Sequence, residues 1–321
     1  KMKTIAIVAI VGLLAATYFS MSSTDNGVEE QFRQFLENNR VGYGTTEEYN
    51  YRLGVFQENL NTIARLNQEN PEATFGVNEF ADRTPAEMEQ RMGLILPSEK
   101  LNQVVEHVAP INGKSVDWTS MWSGVKNQGS CGSCWAFSAT AAFEARYALS
   151  KGDKTVTNIY AEQELVDCDT QSHGCHGGWM NFAFEYLMAK EFCTESKYPY
   201  HARDETCKQS SLCTSGPMDK GHSDYKAGDE NGMLADLANG PISVAVDAGS
   251  WSFYKGGVMS SCGSRLNHGV TLVATNFEDK TPYAKIRNSW GSSWGESGYI
   301  RIATGKNLCG YSNVSSVPTF A

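Results

Sequence analysis

The chain has 321 residues, 27 Lys and Arg against 36 Asp and Glu, and a formal net charge of −9. With 41% hydrophobic residues it can bury a sizeable core, which excludes general disorder, and an acidic balance without clustered Lys and Arg excludes a nucleic-acid binder. The length suggests about two domain equivalents.

At the N-terminus, Lys1 and Lys3 precede an apolar run over residues 5–16, and small polar residues follow. A membrane anchor needs about 20 apolar residues. The shorter run reads as a secretory signal peptide over residues 1–22, leaving no membrane attachment after its removal. Such a route leads to the lysosome, an acidic vacuole or the outside, and its oxidising conditions make disulfides the default for the nine cysteines. An odd number leaves at least one thiol unpaired within the chain.

Residues 25–110 contain no cysteine and 15 acidic against 7 basic residues, whereas residues 111–321 hold every cysteine and are nearly neutral. This asymmetry divides the chain after the signal into units 23–110 and 111–321. In the first, residues 31–39 and 47–68 read as helices. Glu48, Arg52, Phe56, Asn59, Ile63 and Asn67 recur every three or four residues and share one helical face. Pro71 and Gly76 then break the helix, and residues 76–82 read as a short extended piece or turn. In the second unit, residues 134–151, 160–167 and 179–190 read as helices. Residues 241–246, 269–274, 283–286 and 298–302 read as strands. Helices first and strands later predict an α+β protein of two subdomains.

The most specific string is Gln128-Gly-Ser-Cys131-Gly-Ser-Cys134-Trp-Ala-Phe-Ser138. A thioredoxin-type redox pair would need a surrounding βαβ pattern, which is missing. A zinc site drawing on His173, Cys175 and His176 would need a second close cysteine pair, also missing. The third reading makes one cysteine structural and the other a nucleophile at a helix start. His268 and Asn288, 134 and 154 residues beyond Cys134, are then its candidate partners.

With these residues the chain resembles the papain-like cysteine proteases, and their cathepsin L-like branch in particular. The resemblance also rests on Asp117-Trp118, Glu164-Leu-Val-Asp-Cys168-Asp, Gly174-Cys175-His-Gly177-Gly178, Tyr198-Pro-Tyr200 and Asn288-Ser-Trp290-Gly-Ser-Ser-Trp294-Gly. The six-residue helical face from Glu48 to Asn67, with Gly76-Val-Asn78-Glu-Phe80-Ala-Asp82, matches the family's inhibitory propeptide motifs. The resemblance implies a papain-like two-subdomain α+β fold, with a helical left and a β-barrel-like right domain behind a mostly helical propeptide. Its mature chain would start near residues 108–114.

By resemblance, Cys134 is the nucleophile, His268 its acid–base partner, Asn288 the residue orienting His268, and Gln128 an oxyanion donor with the Cys134 backbone N–H. Trp290 would shield the His268–Asn288 bond. Gly177 and Gly178 would pair with the substrate backbone. Trp179, Met180 and Val314 would wall the S2 pocket, with Asn267 and Gly269 near its back. The family pattern pairs Cys131 with Cys175, Cys168 with Cys207, and Cys262 with Cys309. For Cys193 and Cys213 a fourth bridge is the expectation and two buried thiols the alternative. No cofactor and no metal are implied. Protein and peptide substrates, the chain's own propeptide as intramolecular inhibitor, and cystatin-like inhibitors are the implied partners of a monomer. Without a histidine-rich insertion to block the primed side, an endopeptidase is expected. If Glu48, Asp82 and their neighbours are ion-paired, acid should loosen the propeptide. The alternative is a catalytically silent homologue acting as a binding protein, favoured had Cys134, His268 or Gln128 been replaced; none is.

Overall fold

The computed structural model describes residues 27–98, 114–213 and 215–320. The expected signal peptide, and all but the last residue of the stretch expected to hold the mature N-terminus, lie outside the described residues. Two compact units divide the chain: residues up to Ile63 with Val77–Arg83, and Ala64–Gly76 with Thr84 onward.

The first unit holds helix α1 (27–39) and the part of α2 (Thr46–Glu69) up to Ile63, which carries the predicted face from Glu48 to Ile63. On that face the ring of Phe56 packs against α1, 5.2 Å from Phe32 and 5.4 Å from Phe35. The polar members of the face hold the turn over 78–83. Asn59 Nδ2 donates to the carbonyls of Ala81 and Arg83, both at 2.9 Å, and Arg52 donates to Asp82 O at 3.0 Å and to Glu48 at 2.7 Å. The three bonds to Ala81, Asp82 and Arg83 give backbone carbonyls of the turn a hydrogen-bond donor, and the Glu48 carboxylate holds the Arg52 guanidinium.

The second unit takes up the end of α2, where Asn67 bonds Phe75 through both backbone groups, at 2.8 and 3.0 Å. That clamp presents β1 (Ala73–Phe75) for antiparallel pairing with the strand Tyr254–Met259. Helix α3 (Pro85–Glu89) opens with a capping box between Thr84 and Glu87 and with Pro85 in its first turn. After β2 (Val116–Asp117) comes α4 (Cys134–Ser150), Ala-rich and buried on nearly every side, so it is a core helix. Helices α5 (Glu162–Cys168), α6 (Met180–Leu187) and α7 (Gln209–Leu212) complete the helical half.

The other half is built on β3 (Gly221–Asp224), helix α8 (Glu230–Asp236), β4 (Ile242–Val246), β5 (Tyr254–Met259), β6 (His268–Asn276), β7 (Tyr283–Arg287), β8 (Tyr299–Ala303) and β9 (Ser315–Thr319). The sheet order is β1-β5-β8-β7-β6-β4-β9-β3, with β2 added on β6. This order has two ends, so the expected barrel-like half is an open sheet rather than a closed one. Fully buried β4 and nearly buried β6 pack against α4, and their register sets Val246 opposite His268.

Four disulfides cross-link the second unit: Cys131–Cys175, Cys168–Cys207, Cys193–Cys213 and Cys262–Cys309. Cys193 and Cys213 are therefore bridged, and Cys134 is the free thiol among the described residues.

Candidate active site

The site lies where α4 begins and β6 begins. Cys134 is the first residue of α4, so its sulfur stands at the positive end of a 17-residue helix. His268 is the first residue of β6, and the backbone N–H of Gly269 donates to Cys134 Sγ at 3.4 Å. Asn288 follows β7 directly. Its Oδ1 accepts from Ser289 N at 2.8 Å, which fixes the amide's orientation. Because Oδ1 is an acceptor, His268 Nε2 must be the donor in their 2.8 Å bond. The ring's other nitrogen, Nδ1, has no hydrogen-bond partner and is left to exchange a proton. Trp290 lies tilted over His268 at 5.1 Å, with Trp294 edge-on behind it at 5.1 Å, so the His–Asn bond is roofed by indoles.

Gln128 is fully buried and held on three sides. Its backbone N–H donates to Ser289 O at 2.8 Å, its Oε1 accepts from Ser289 Oγ at 2.6 Å, and its Nε2 donates to Cys131 O at 2.9 Å. The same amide donates to Arg91 O at 2.7 Å. Beside it the main chain of residues 93–95 runs through the cleft. Gly178 N donates to Gly93 O and Ile95 N to Gly178 O, both at 2.9 Å, while Leu94 N donates to Asn267 O at 3.2 Å. The Leu94–Gly178 bridge is parallel. Leu94 packs on the apolar cluster that contains Trp135, Trp179, Met180 and Val314, and a Cβ on Gly269 would sit 3.1 Å from Met180 Sδ. Gly177 approaches the same segment, a Cβ there falling 2.8 Å from Gly93 O.

Covered in this way, Cys134 and His268 are both fully buried. Burial pushes the Cys134 thiol up to about 11, against the backbone N–H groups of Gly269 and Gly93 that favour the thiolate. Burial likewise drives His268 down to about 4, against its bond to Asn288. Both groups are thus held neutral under the covering chain. Water or substrate in its place would relieve the desolvation that sets both shifts.

A second charged group lies behind the cleft. Lys126 Nζ reaches Glu162 at 2.8 Å, Glu144 at 3.6 Å and Glu195 at 4.0 Å. Burial opposes its charge, but the three carboxylates outweigh burial and hold its pKa above the ordinary value. Neither this cluster nor Ser289 stands out in the sequence. Ser289 had one available signal, its place directly after Asn288.

A family model described as papain family cysteine protease matches residues 112–319. The chain belongs to that family. A second model, the cathepsin propeptide inhibitor domain, matches residues 32–88. Cysteine protease XCP2 of Arabidopsis thaliana is 38% identical over 308 residues, covering 90% of this chain and 86% of that one. Cathepsin L 1 of Paramecium tetraurelia is 41% identical over 278 residues, 84% and 85% of the two chains. Among solved structures, digestive procathepsin L 3 of Tenebrio molitor larval midgut superposes with a TM-score of 0.77 at 34% identity, covering 91% of this chain and 99% of that one. The protein is thus a papain-family cysteine protease that carries a cathepsin-type inhibitory propeptide.

Proposed function

We propose that the chain is a latent cysteine endopeptidase, with a signal peptide over 1–22, an inhibitory propeptide over 23–110 and a peptidase over 111–321. The observation that carries this reading is the stretch of main chain over 91–95. It lies on Gln128, Gly178 and Asn267, and Cys134 is fully buried. Its parallel pairing with Gly178 is what a segment threaded in reverse would make, and this disfavours its cleavage.

With the cleft cleared, the Cys134 thiolate attacks the scissile carbonyl carbon. The helix terminus and His268 as imidazolium stabilise that thiolate. Gln128 Nε2 and the Cys134 N–H take the charge that develops on oxygen. His268 protonates the leaving amine, and the thioester remains. Water then attacks the thioester, His268 accepts its proton, and the acid departs as the thiol is restored. Asn288 keeps the ring in one plane throughout.

Leu94 in the apolar cluster supports a preference for Leu, Val or Phe at P2, and Val314 offers no carboxylate for Arg. One methylene of mismatch is worth about 1–3 kcal/mol. We assign the enzyme to an acidic compartment of the secretory pathway or to release from the cell, acting as a monomer open to cystatin-like inhibitors. Among the described residues no helix is long and apolar enough to cross a membrane. The test is to acidify the purified precursor and titrate it with an irreversible epoxide thiol reagent. One equivalent bound at Cys134, with peptidase activity abolished in proportion, is the expected result. Labelling elsewhere, or activity that survives full labelling, would overturn it.

A further inference from the structure

Tyr200 ends the Tyr198-Pro-Tyr200 string, to which the mechanism above gives no part. Its hydroxyl donates to Gln128 O at 2.8 Å. The phenol proton is thereby spent, so in the 2.6 Å contact with Ser133 Oγ the serine is the donor. One oxygen therefore ties together two points five residues apart on the loop that leads into α4. Gln128 supplies one oxyanion donor from its side chain; Ser133 precedes Cys134, whose backbone N–H is the other. The tyrosine is itself held. Its ring stands edge-on to Phe137 at 4.9 Å, one turn into α4, and its backbone N–H donates to Glu195 Oε1 at 2.9 Å. Glu195 is in turn 4.0 Å from Lys126.

We propose that Tyr200 is a positioning residue that sets the distance between the two oxyanion donors. It touches neither substrate nor sulfur. Oxyanion donors act only when aimed in advance at the place where charge develops, and losing one costs about 10²–10³ in kcat. A loosened pair should lose part of that. The inference rests on the proposed peptidase mechanism.

The experiment compares wild type, Tyr200→Phe, Gln128→Ala and the double variant. Each is made as the full precursor and matured with pepsin, which an aspartic-protease inhibitor then silences. Tyr200→Phe keeps the ring on Phe137 and removes both hydroxyl bonds. It should lower kcat on a peptide amide about tenfold with KM unchanged. It should weaken a peptide aldehyde, whose adduct places an oxyanion in the hole, by a similar factor. Alkylation of Cys134 by iodoacetamide needs the thiolate but no oxyanion hole, so its rate and pH profile should stay as in wild type. In the Gln128→Ala background Tyr200→Phe should cost little more. Ser133→Ala, which removes one of the two bonds, should show a weaker form of the same pattern and stands in if Tyr200→Phe does not fold. Unchanged kcat, an equal fall in alkylation, or costs that add in the double variant would overturn the proposal. If Gln128→Ala itself left hydrolysis intact, the oxyanion assignment and this inference would fall together. If Gln128→Ala alone were damaged, only the role of Tyr200 would.

Discussion

Cys131 and Cys134 stand three residues apart and face opposite fates, one in a bridge and one at a helix start. Cys134→Ala should fold, keep its propeptide and lose peptidase activity by several orders of magnitude, as read by hydrolysis after maturation with an added protease. Cys131→Ala should instead lower stability by about 2–4 kcal/mol, measured by denaturant unfolding, because it opens the Cys131–Cys175 loop. Gly93 is a third test. A Cβ there would fall 1.8 Å from Gly132 O, a backbone atom that has no rotamer to escape into. Gly93→Ala should unseat the covering chain and give measurable peptidase activity in the precursor at pH 7, where none is expected of wild type. The candidate catalytic residues were legible because their chemistry needs rare residue types in fixed order. Gly93 was not. Nothing local marks it, and its constraint comes from Gly132, 39 positions away in the chain and adjacent in space.

Among elements, long periodic segments and strands of β-branched residues could be read within a residue or two, as α2 and β4 illustrate. Helix α6 proved shorter than the 179–190 read from the sequence, its turns ending at Leu187. Three strands escaped for identifiable reasons. β5 carries two consecutive glycines, β9 contains Pro318, and β3 is polar with little burial. β1 is too short to leave a pattern, and its place is set by Asn67. Elements of the propeptide are fastened by hydrogen bonds and ion pairs to loops that join the strands. Glu72, just before β1, accepts from Thr281 and from Lys280, the latter at 3.3 Å, and Thr281 foremost holds its carboxyl below the usual value. Arg265 pairs with Glu89 of α3 at 3.1 Å. Because the folded pKa of Glu72 is depressed, its contribution is present above the unfolded value of about 4.3 and is lost as pH falls through the folded one. The precursor should therefore process itself near pH 4–5, by that linkage roughly where the carboxyl titrates. Glu72→Gln should move the midpoint of processing roughly 0.3 pH unit toward neutral. A gel time course across pH reads both; rapid processing at pH 7.5 in dilute buffer would rule out carboxylate protonation as the trigger.

For the molecule as a whole, several buried groups point the other way in pH. Burial raises Glu164 to about 7 and Asp219 to about 7, and the Asp224 bond leads in raising His222. A raised folded pKa means that the native state binds more protons, so stability grows as pH falls from about 7 toward the unfolded carboxylate values near 4. For His222 the contribution is complete below its unfolded value of about 6.5 and disappears as pH rises through the folded one. The lowered carboxyl of Glu205, near 2, contributes unchanged across that window and loses its contribution only below it. The matured protein should then melt about 5 °C higher at pH 5 than at pH 8, a comparison calorimetry makes directly. None of this was legible beforehand, since burial belongs to the fold and not to any short string. Maturation also has a cost at the end of the sheet. While β1 is present, Ala73, Thr74 and Phe75 face Gly257, Gly256 and Tyr254, and Gly257 at φ +85° leaves the room that Glu72 O occupies. Once the propeptide departs, that border of β5 has unsatisfied amides and carbonyls turned outward, the sort of template on which foreign strands can nucleate. Its brevity, its paired glycines and the charge of Lys255 make it a poor template. The propeptide strand thus doubles as a selvedge, keeping that border paired for as long as β1 is in place.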